Sequence, residues 1–416
     1  MSDTSSTADL RPSLWRDTDY VGWWTGNTLS ALGTSVSAIA FPLLVLGITG
    51  SVTKAGLIGS ANLIGILVTT LWGGALADRA SRRAILITGP LVQAAVLAAV
   101  AILVHGGRTH LTLLVLAALA SGLCSGVVLG ASTPALRRIV PGDQLATANG
   151  QAMARDMGAQ LLGSPLGGIL FAAARWLPFG ADALSFVFAA LGALNIRKPL
   201  GPDRSQEPKT TMTKDVAEGI RFVRNQPFLR FVVVMASVMN MLAQAFLLLL
   251  IALVRYRGGS SSAVGVVTAM TVAGALAGSF FAPALARRVK ARLLLCAAVW
   301  SFTVGVALIA VVPAVWQMAV VVCLAQVAMV PVNVVLQTYV MQTVPDQLLG
   351  RVAAVNRFGA YALEWLGPLL AGALAALFGV SGGMMALLIV LIPLAVALMV
   401  SRSLDVLDEP VAAFAQ

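Results

Sequence analysis

Apolar residues run along this chain in long blocks separated by short polar links. A bilayer span needs about 20 mostly apolar residues. Twelve blocks have that character: Val21–Leu46, Ala55–Ala77, Ala84–Val104, Leu111–Ala135, Gly150–Ala174, Pro178–Ile196, Phe228–Val254, Ala263–Ala286, Leu293–Val312, Val315–Tyr339, Val352–Phe378 and Gly382–Ser401. Lipid offers backbone groups no hydrogen-bond partner, so each block is expected to be a helix. One stretch has a different pattern. In Lys214–Asn225, KDVAEGIRFVRN, Val216, Ile220 and Val223 recur at helical spacing with charges between them. That predicts an amphipathic helix along the inner membrane surface. The preceding Gly201–Thr213, rich in Pro, Ser, Thr and Lys, reads as a linker.

Composition supports the same picture. Of 416 residues, 58% are hydrophobic and 11% charged, against roughly a quarter charged in soluble domains. Lys+Arg number 28 and Asp+Glu 17, a net charge of +11. In a soluble protein this excess would suggest nucleic acid. Here the bases gather in links on one side: Arg79, Arg82 and Arg83, then Arg137 and Arg138, the centre from Arg197 to Arg230, then Arg287, Arg288, Lys290 and Arg292, and Arg351. The opposite links hold Lys54, Arg108, Arg175, Arg255 and Arg257. Positive links face the cytoplasm. The expectation is an integral protein of a bacterial-type inner (plasma) membrane, both termini cytoplasmic, touching anionic headgroups and no nucleic acid. Arg255 and Arg257 fit this least well. Removing one span would invert every later link and worsen the fit.

Cys124, Cys296 and Cys323 lie inside apolar blocks as small packing residues. No signal peptide is apparent. No Walker motif, ordered Ser/His/Asp set or metal-ligand spacing is present, so neither an enzyme nor a cofactor is expected.

The two halves of the chain repeat. Val140-Pro141 is answered by Val344-Pro345, and the same offset carries Gly163 to Gly367 and Gly168 to Gly372. A second offset carries Leu76, Arg79 and Arg83 to Leu285, Arg288 and Arg292, with Asp78 opposite Arg287. Parallel repeats of six spans are a transporter architecture. The expected fold is an all-α polytopic membrane protein, twelve transmembrane helices in two pseudo-symmetric six-helix bundles. Its parts are a tail 1–20, a bundle 21–196, a linker with its amphipathic helix 197–227, a second bundle 228–401 and a tail 402–416.

The link Gly73–Arg83, GGALADRASRR, resembles the Gly-x-x-x-Asp-Arg-x-Gly-Arg-Arg loop of the major facilitator superfamily, with Ser81 in place of its second glycine. The resemblance implies gating by Gly74, Asp78, Arg79, Arg82 and Arg83. Asp78 would accept from a helix N-terminus, while Arg79 and Arg82 would reach across the seam between the halves. The alternative is a loop anchored to headgroups. GSPLGGIL, Gly163–Leu170, is similar to the Gly-Pro-x-x-Gly-Gly element of superfamily exporters, with Ser164 at the proline's place and Pro165 one residue later. That element seals against proton leak. The matching Gly367-Pro368 supports a paired structural role. EGIRFVRNQPFLR, DALSF and GNTLSALGTS resemble the macrolide-efflux-like and enterobactin-exporter-like branch of multidrug exporters. Membership would imply proton-coupled efflux of a small amphipathic compound, a drug-like natural product or siderophore. The chain departs from exporter patterns at Thr34, where an acid is often found, and at Gly122, where an arginine is common.

Acids inside spans are the sharpest leads. A charge at a helix centre costs about 2.5–3.5 kcal/mol on insertion scales. Glu364 lies deep in the eleventh block and its repeat counterpart is Gln160. Arg357 falls on the same helical face as Glu364 and is placed to pair with it. The alternatives for Glu364 are a cavity group or a fixed ion pair. Asp182 in the sixth block is either a coupling group or a helix–helix hydrogen bond. Asn27 stands among small polar residues of the first block. Arg155 and Asp156, adjacent and pointing in different directions, are candidates for gating or structure, as are Gly163, Pro165, Gly367 and Pro368. Trp23 and Trp24 read as interfacial anchors. The expected partners are a small-molecule substrate, protons and lipid, with the chain a monomer. An importer or uniporter of the same fold is an alternative, as is a non-transporting scaffold or sensor.

Overall fold

The computed structural model describes residues 13–79, 81–200, 212–344 and 346–400. The first six spans are α1 (Thr18–Thr49), α2 (Val52–Arg79), α3 (Arg82–His105), α4 (Leu111–Ile139), α5 (Leu145–Ala173) and α6 (Leu177–Leu194). After the linker come α7 (Met212–Asn225), α8 (Pro227–Tyr256), α9 (Ser261–Arg288) and α10 (Ala291–Val311). The tenth span is interrupted at Ala328 into α11 (Val315–Val327) and α12 (Met329–Thr343). The remainder is α13 (Asp346–Tyr361), α14 (Leu366–Ala386) and α15 (Leu388–Val400).

Among the described residues, ten helical stretches are long and apolar enough to cross a membrane. Two further crossings complete the twelve. Helix α5 has the length but carries the polar run that includes Arg155 and Asp156. The final stretch, Arg351–Val400, is long enough for two passes. Inside α14 the chain turns at Gly379, whose φ of 71° and ψ of 175° are open to glycine. Gly383 then packs back on Leu374 and Ala375. The eleventh span therefore ends at this turn and the twelfth returns alongside it. Large apolar side chains stay on the outer surface, Phe280 at 82% exposure and Leu377 at 74%, as lipid contact requires.

Lipid removes the hydrophobic drive for helix to pack on helix, so close approach of backbones must hold the bundle. Glycines supply it in matched pairs. A Cβ on Gly163 would strike Ser35 and the Leu32 carbonyl of α1; one on Gly367 would strike Gln244 and the Met241 carbonyl of α8. Gly56 lies against the Pro368 carbonyl and Gly265 against the Ser164 carbonyl. These pairs obey the two offsets seen in sequence. Charged caps repeat as well: Arg83 Nη2 donates to the Leu194 carbonyl at 2.9 Å, and its counterpart Arg292 donates to the Met399 carbonyl at 2.8 Å. Each arginine meets the negative end of the last helix of its own half.

The ends of the bundle differ. At the loop end, where α2 meets α3, the termini of α1, α4 and α6 are clamped. Asp19 accepts from the backbone N–H groups of Arg197 and Lys198 at 3.0 Å each. Lys198 Nζ donates to Asp17 and to the Ile139 carbonyl, both at 2.6 Å. At the far end Arg257 donates to the carbonyls of Ile309, Ala310 and Val312, capping α10, and Arg255 donates to the Gly259 carbonyl. The two arginines that fit the charge pattern least are thus committed to local carbonyls.

Helix α7 forms where the pattern predicts it and docks on α8 and α13 of the second half. Val223 is buried with Phe228, Leu229 and Leu294, while Glu218 pairs with Arg351. Ile220 of the same stripe is 51% exposed. Residues 201–211 of the linker and the tails 1–12 and 401–416 lie outside the described residues.

Replacing Asp19 by alanine removes two part-buried hydrogen bonds to the backbone, and is expected to cost about 1–2 kcal/mol, read as a lower unfolding temperature in detergent. For Asp17, partial burial pushes the carboxyl up, but the hydrogen bond and charge of Lys198 and the N–H groups of Asp19 and Tyr20 outweigh it, leaving it below the ordinary 3.8. Its stabilisation is therefore present above pH 3.8 and fades as pH falls through the lower folded value. The stability gap between the natural chain and Asp17→Asn should close on acidification in that window.

Candidate functional site

The eleventh span is broken where its sequence demands it. Pro368 has no N–H for the Glu364 carbonyl and its ring crowds that position. The carbonyl accepts instead from Gly367 N–H at 3.0 Å, and residues 362–365 form a turn between α13 and α14. Side chains from two other helices secure this turn. Asn240 Nδ2 of α8 donates to the Ala360 carbonyl at 2.9 Å. Ser60 Oγ of α2, in the other half, donates to the Trp365 carbonyl at 2.6 Å. The Glu364 carboxylate accepts from Gln244 Nε2 of α8 at 2.5 Å. The repeat counterpart behaves differently. Ser164 stands opposite Pro368, its hydroxyl donates to the Gln160 carbonyl at 2.9 Å, and α5 runs on without a break.

The break lies where the two halves part. Toward the far end they share one apolar core, in which Leu43 and Val52 of the first half pack with Leu249 and Ala371 of the second. Toward the loop end the described core divides. One cluster holds Tyr20, Trp23, Ile85 and Ile139 of the first half, the other Phe228, Leu294 and Val352 of the second. The far-end seam is backbone on backbone. A Cβ on Gly56 would lie 2.2 Å from the Pro368 carbonyl oxygen, and one on Gly168 would lie 2.3 Å from that of Ser261. Thr53 Oγ1 donates across the seam to the Gly372 carbonyl at 3.0 Å. Further along α5 toward the loop end, Gly158 and Gly150 face open space.

The remaining sequence candidates fall elsewhere. Arg357 is exposed and makes no ion pair or hydrogen bond among the described residues, so the expected pairing with Glu364 is absent. Helical spacing predicted it, and the broken helix between them removes that spacing. The Gln160 side chain is exposed. Asp182 is 2% exposed between α1 and α6, where its carboxylate accepts from Ser37 at 2.5 Å and Ser185 at 3.1 Å, with Gly33 leaving room. That is the helix–helix role. Asn27 donates to the Trp23 carbonyl of its own helix.

Arg155 and Asp156, whose adjacency does not require a pair, do pair at 2.8 Å. The long arginine side chain curls back while lying 5.4 Å over the Trp23 ring. Trp23 is itself buried against Tyr20 and α5, and so is no interfacial anchor. Of the signature loop, Arg82 and Arg83 are described; the side chains of Gly74, Asp78 and Arg79 lie outside the described residues, as does that of Arg287. Sequence reasoning missed Asn240 and Ser60. Their signal was indirect: a Gly-Pro step deep in a span frees carbonyls that something must satisfy.

Two pseudo-symmetric six-helix halves, joined through one core at the far end and holding separate cores at the loop end among the described residues, define a secondary transporter. The chain belongs to the Major Facilitator Superfamily, whose family model matches residues 23–363 and 233–413. The multidrug efflux pump Tap of Mycolicibacterium fortuitum is 29% identical over 394 residues, covering 91% of this chain and 95% of that protein. Tap of Mycobacterium tuberculosis is 28% identical over 410 residues, covering 92% and 95%. The fold is similar to a bacterial homologue of the lysosomal transporter Spinster, inward-facing and unoccupied, with a TM-score of 0.73, 15% identity and coverage of 96% and 99%. It is also similar to an inward-facing bacterial homologue of the iron transporter ferroportin, with a TM-score of 0.72, 16% identity and coverage of 94% and 100%.

A valine at Gly56 or Gly168 cannot be fitted into the closed far-end seam. Overpacking of about 1–3 kcal/mol should shift the resting population toward a far end that is open. Cysteine labelling at far-end seam positions in each variant, compared with the parent, reads this as faster modification.

Proposed function

We propose that the protein exports small amphipathic, drug-like compounds by alternating access, with Glu364 as the group that exchanges a proton for substrate. One observation carries the reading. At the point where the halves part, a carboxylate stands in a broken span beside Gln244, held by a hydrogen bond and by no fixed positive charge among the described residues. An acid kept at that depth without a counter-ion is expensive unless it titrates or meets ligand. The homology to multidrug efflux pumps supports the direction and the substrate class.

The loop end, with its arginine-rich links, is the cytoplasmic end, and the first described helix starts and the last ends there. On this reading the glycine seam closes the outer end, and substrate has access between the two loop-end cores. Substrate enters that space from the cytoplasm or inner leaflet. Protonation of Glu364 weakens its hold on a bound compound or its local contacts. Rocking about the seam exchanges access, with the loop around Asp78 latching the inner side when it closes. The mostly apolar spans favour a greasy substrate over a sugar, which would need many polar partners. Bases at the inner links contact anionic headgroups, and a single chain carries a complete path, so a monomer suffices.

The test is efflux of a panel of fluorescent amphipathic compounds from cells with and without the protein. Export should stop with a protonophore and with Glu364→Gln, while the variant still folds. Asp182→Asn keeps a group that can bond Ser37 and Ser185, and should lower thermal stability more than export. Flux that follows the compound's own gradient, indifferent to the protonophore, would identify a uniporter and refute the coupling role.

A further inference from the structure

The hydroxyl of Ser60 touches the broken turn from the opposite half. It is 1% exposed and donates to the carbonyl of Trp365, the residue that follows Glu364. Along α2 the same face carries Thr53, Gly56 and Gly59, which meet Gly372 and Pro368 of α14. Ser60 is the member of this ladder nearest the loop end. It is also the member that reaches the turn between α13 and α14. The repeat counterpart of Ser60 is Ala269, which has no hydroxyl, so the α5–α9 seam lacks this bond. The eleventh span has divided loyalties. Its α14 part packs both on α2 across the seam and on α8 of its own half, while α13 packs on α7 and α8. The turn between them is held by Asn240 and Gln244 from within the half and by Ser60 from outside it.

We infer that Ser60 is a positioning residue that ties the state of Glu364 to the far-end seam, through the Trp365 carbonyl. With the far end closed, the hydroxyl fixes the turn so that the carboxylate meets Gln244. When the far end opens, α2 and α14 separate, the bond is lost, and the turn relaxes with Glu364 free to leave Gln244. Conversely, a change of partner at Glu364 moves the adjacent carbonyl away from Ser60 and loosens the seam. The link is direct because carboxylate and carbonyl belong to neighbouring residues of one short turn, wound by i→i+3 bonds where the α-helical ladder is interrupted. The inference rests on the reading of Glu364 as the coupling group, and adds to it the contact by which the two halves share that group's state.

The experiment uses full-length purified protein with Cys124, Cys296 and Cys323 replaced by serine and spin labels at Lys54→Cys and Tyr256→Cys, exposed sites on opposite halves at the far end. Distance distributions are recorded for the parent, Ser60→Ala, Ser60→Thr and Glu364→Gln, alongside export in cells. One hydrogen bond of ordinary strength predicts a shift of about fivefold toward the longer distance in Ser60→Ala. Ser60→Thr, which keeps the hydroxyl, should restore the parent distribution. In Glu364→Gln the parent's response to pH should disappear, and in Ser60→Ala that response should be much reduced although Glu364 is intact. Should Ser60→Ala aggregate, Ser60→Cys, of nearly the same size and a weaker donor, should show a smaller shift in the same direction. An unchanged distribution and pH response in well-folded Ser60→Ala overturns the inference and leaves the role of Glu364 standing. Export that survives Glu364→Gln overturns the coupling role, and with it the link.

Discussion

Every contact that shapes this molecule answers to one constraint: in lipid, a carbonyl must have a partner and a helix has no hydrophobic reason to approach its neighbour. The chain meets both demands with the same device, a glycine or hydroxyl residue laid against another helix's backbone. Gly56 on Pro368, Gly265 on Ser164 and Gly122 on Asn62 bring carbonyls within reach of Cα atoms. Ser60, Thr53 and Asn240 then bond carbonyls of other helices. Where that device is used across the halves, they join. Where it is absent among the described residues, the core divides. Shape and access therefore have a common origin.

Much of this was legible in the chain. The spans could be read from length and apolarity because a membrane permits few alternatives. The repeat was visible in Val-Pro steps, glycines and arginines, and its offsets recur in three dimensions, with Arg83 and Arg292 capping equivalent helices. Gly163 and Gly367 meet equivalent partners on α1 and α8. Large structural features repeat because both halves solve one packing problem.

The finer chemistry was less legible, for reasons that differ by residue. Arg357 was expected beside Glu364 on helical spacing, yet the Gly-Pro step that follows destroys the helix on which that spacing depends. Gln244 and Ser60 reach the turn from helices far away in sequence, and no local pattern points from one to another. Trp23 looked like a lipid anchor because tryptophan is common at interfaces; whether it faces out depends on the rotation of α1, which a nearly uniform apolar block does not fix. Arg155 and Asp156 were separated by helical geometry on paper, but a long flexible side chain overrides the direction of its Cα–Cβ bond.

The intact fifth span and the divided eleventh have a mechanical consequence. Both occupy the seam in equivalent places, so any rotation of one half against the other bends them alike. Helix α5 resists as a continuous rod, whereas the eleventh span yields at its turn. Of these two spans only the eleventh carries such a joint, and it is the one that holds the acidic group.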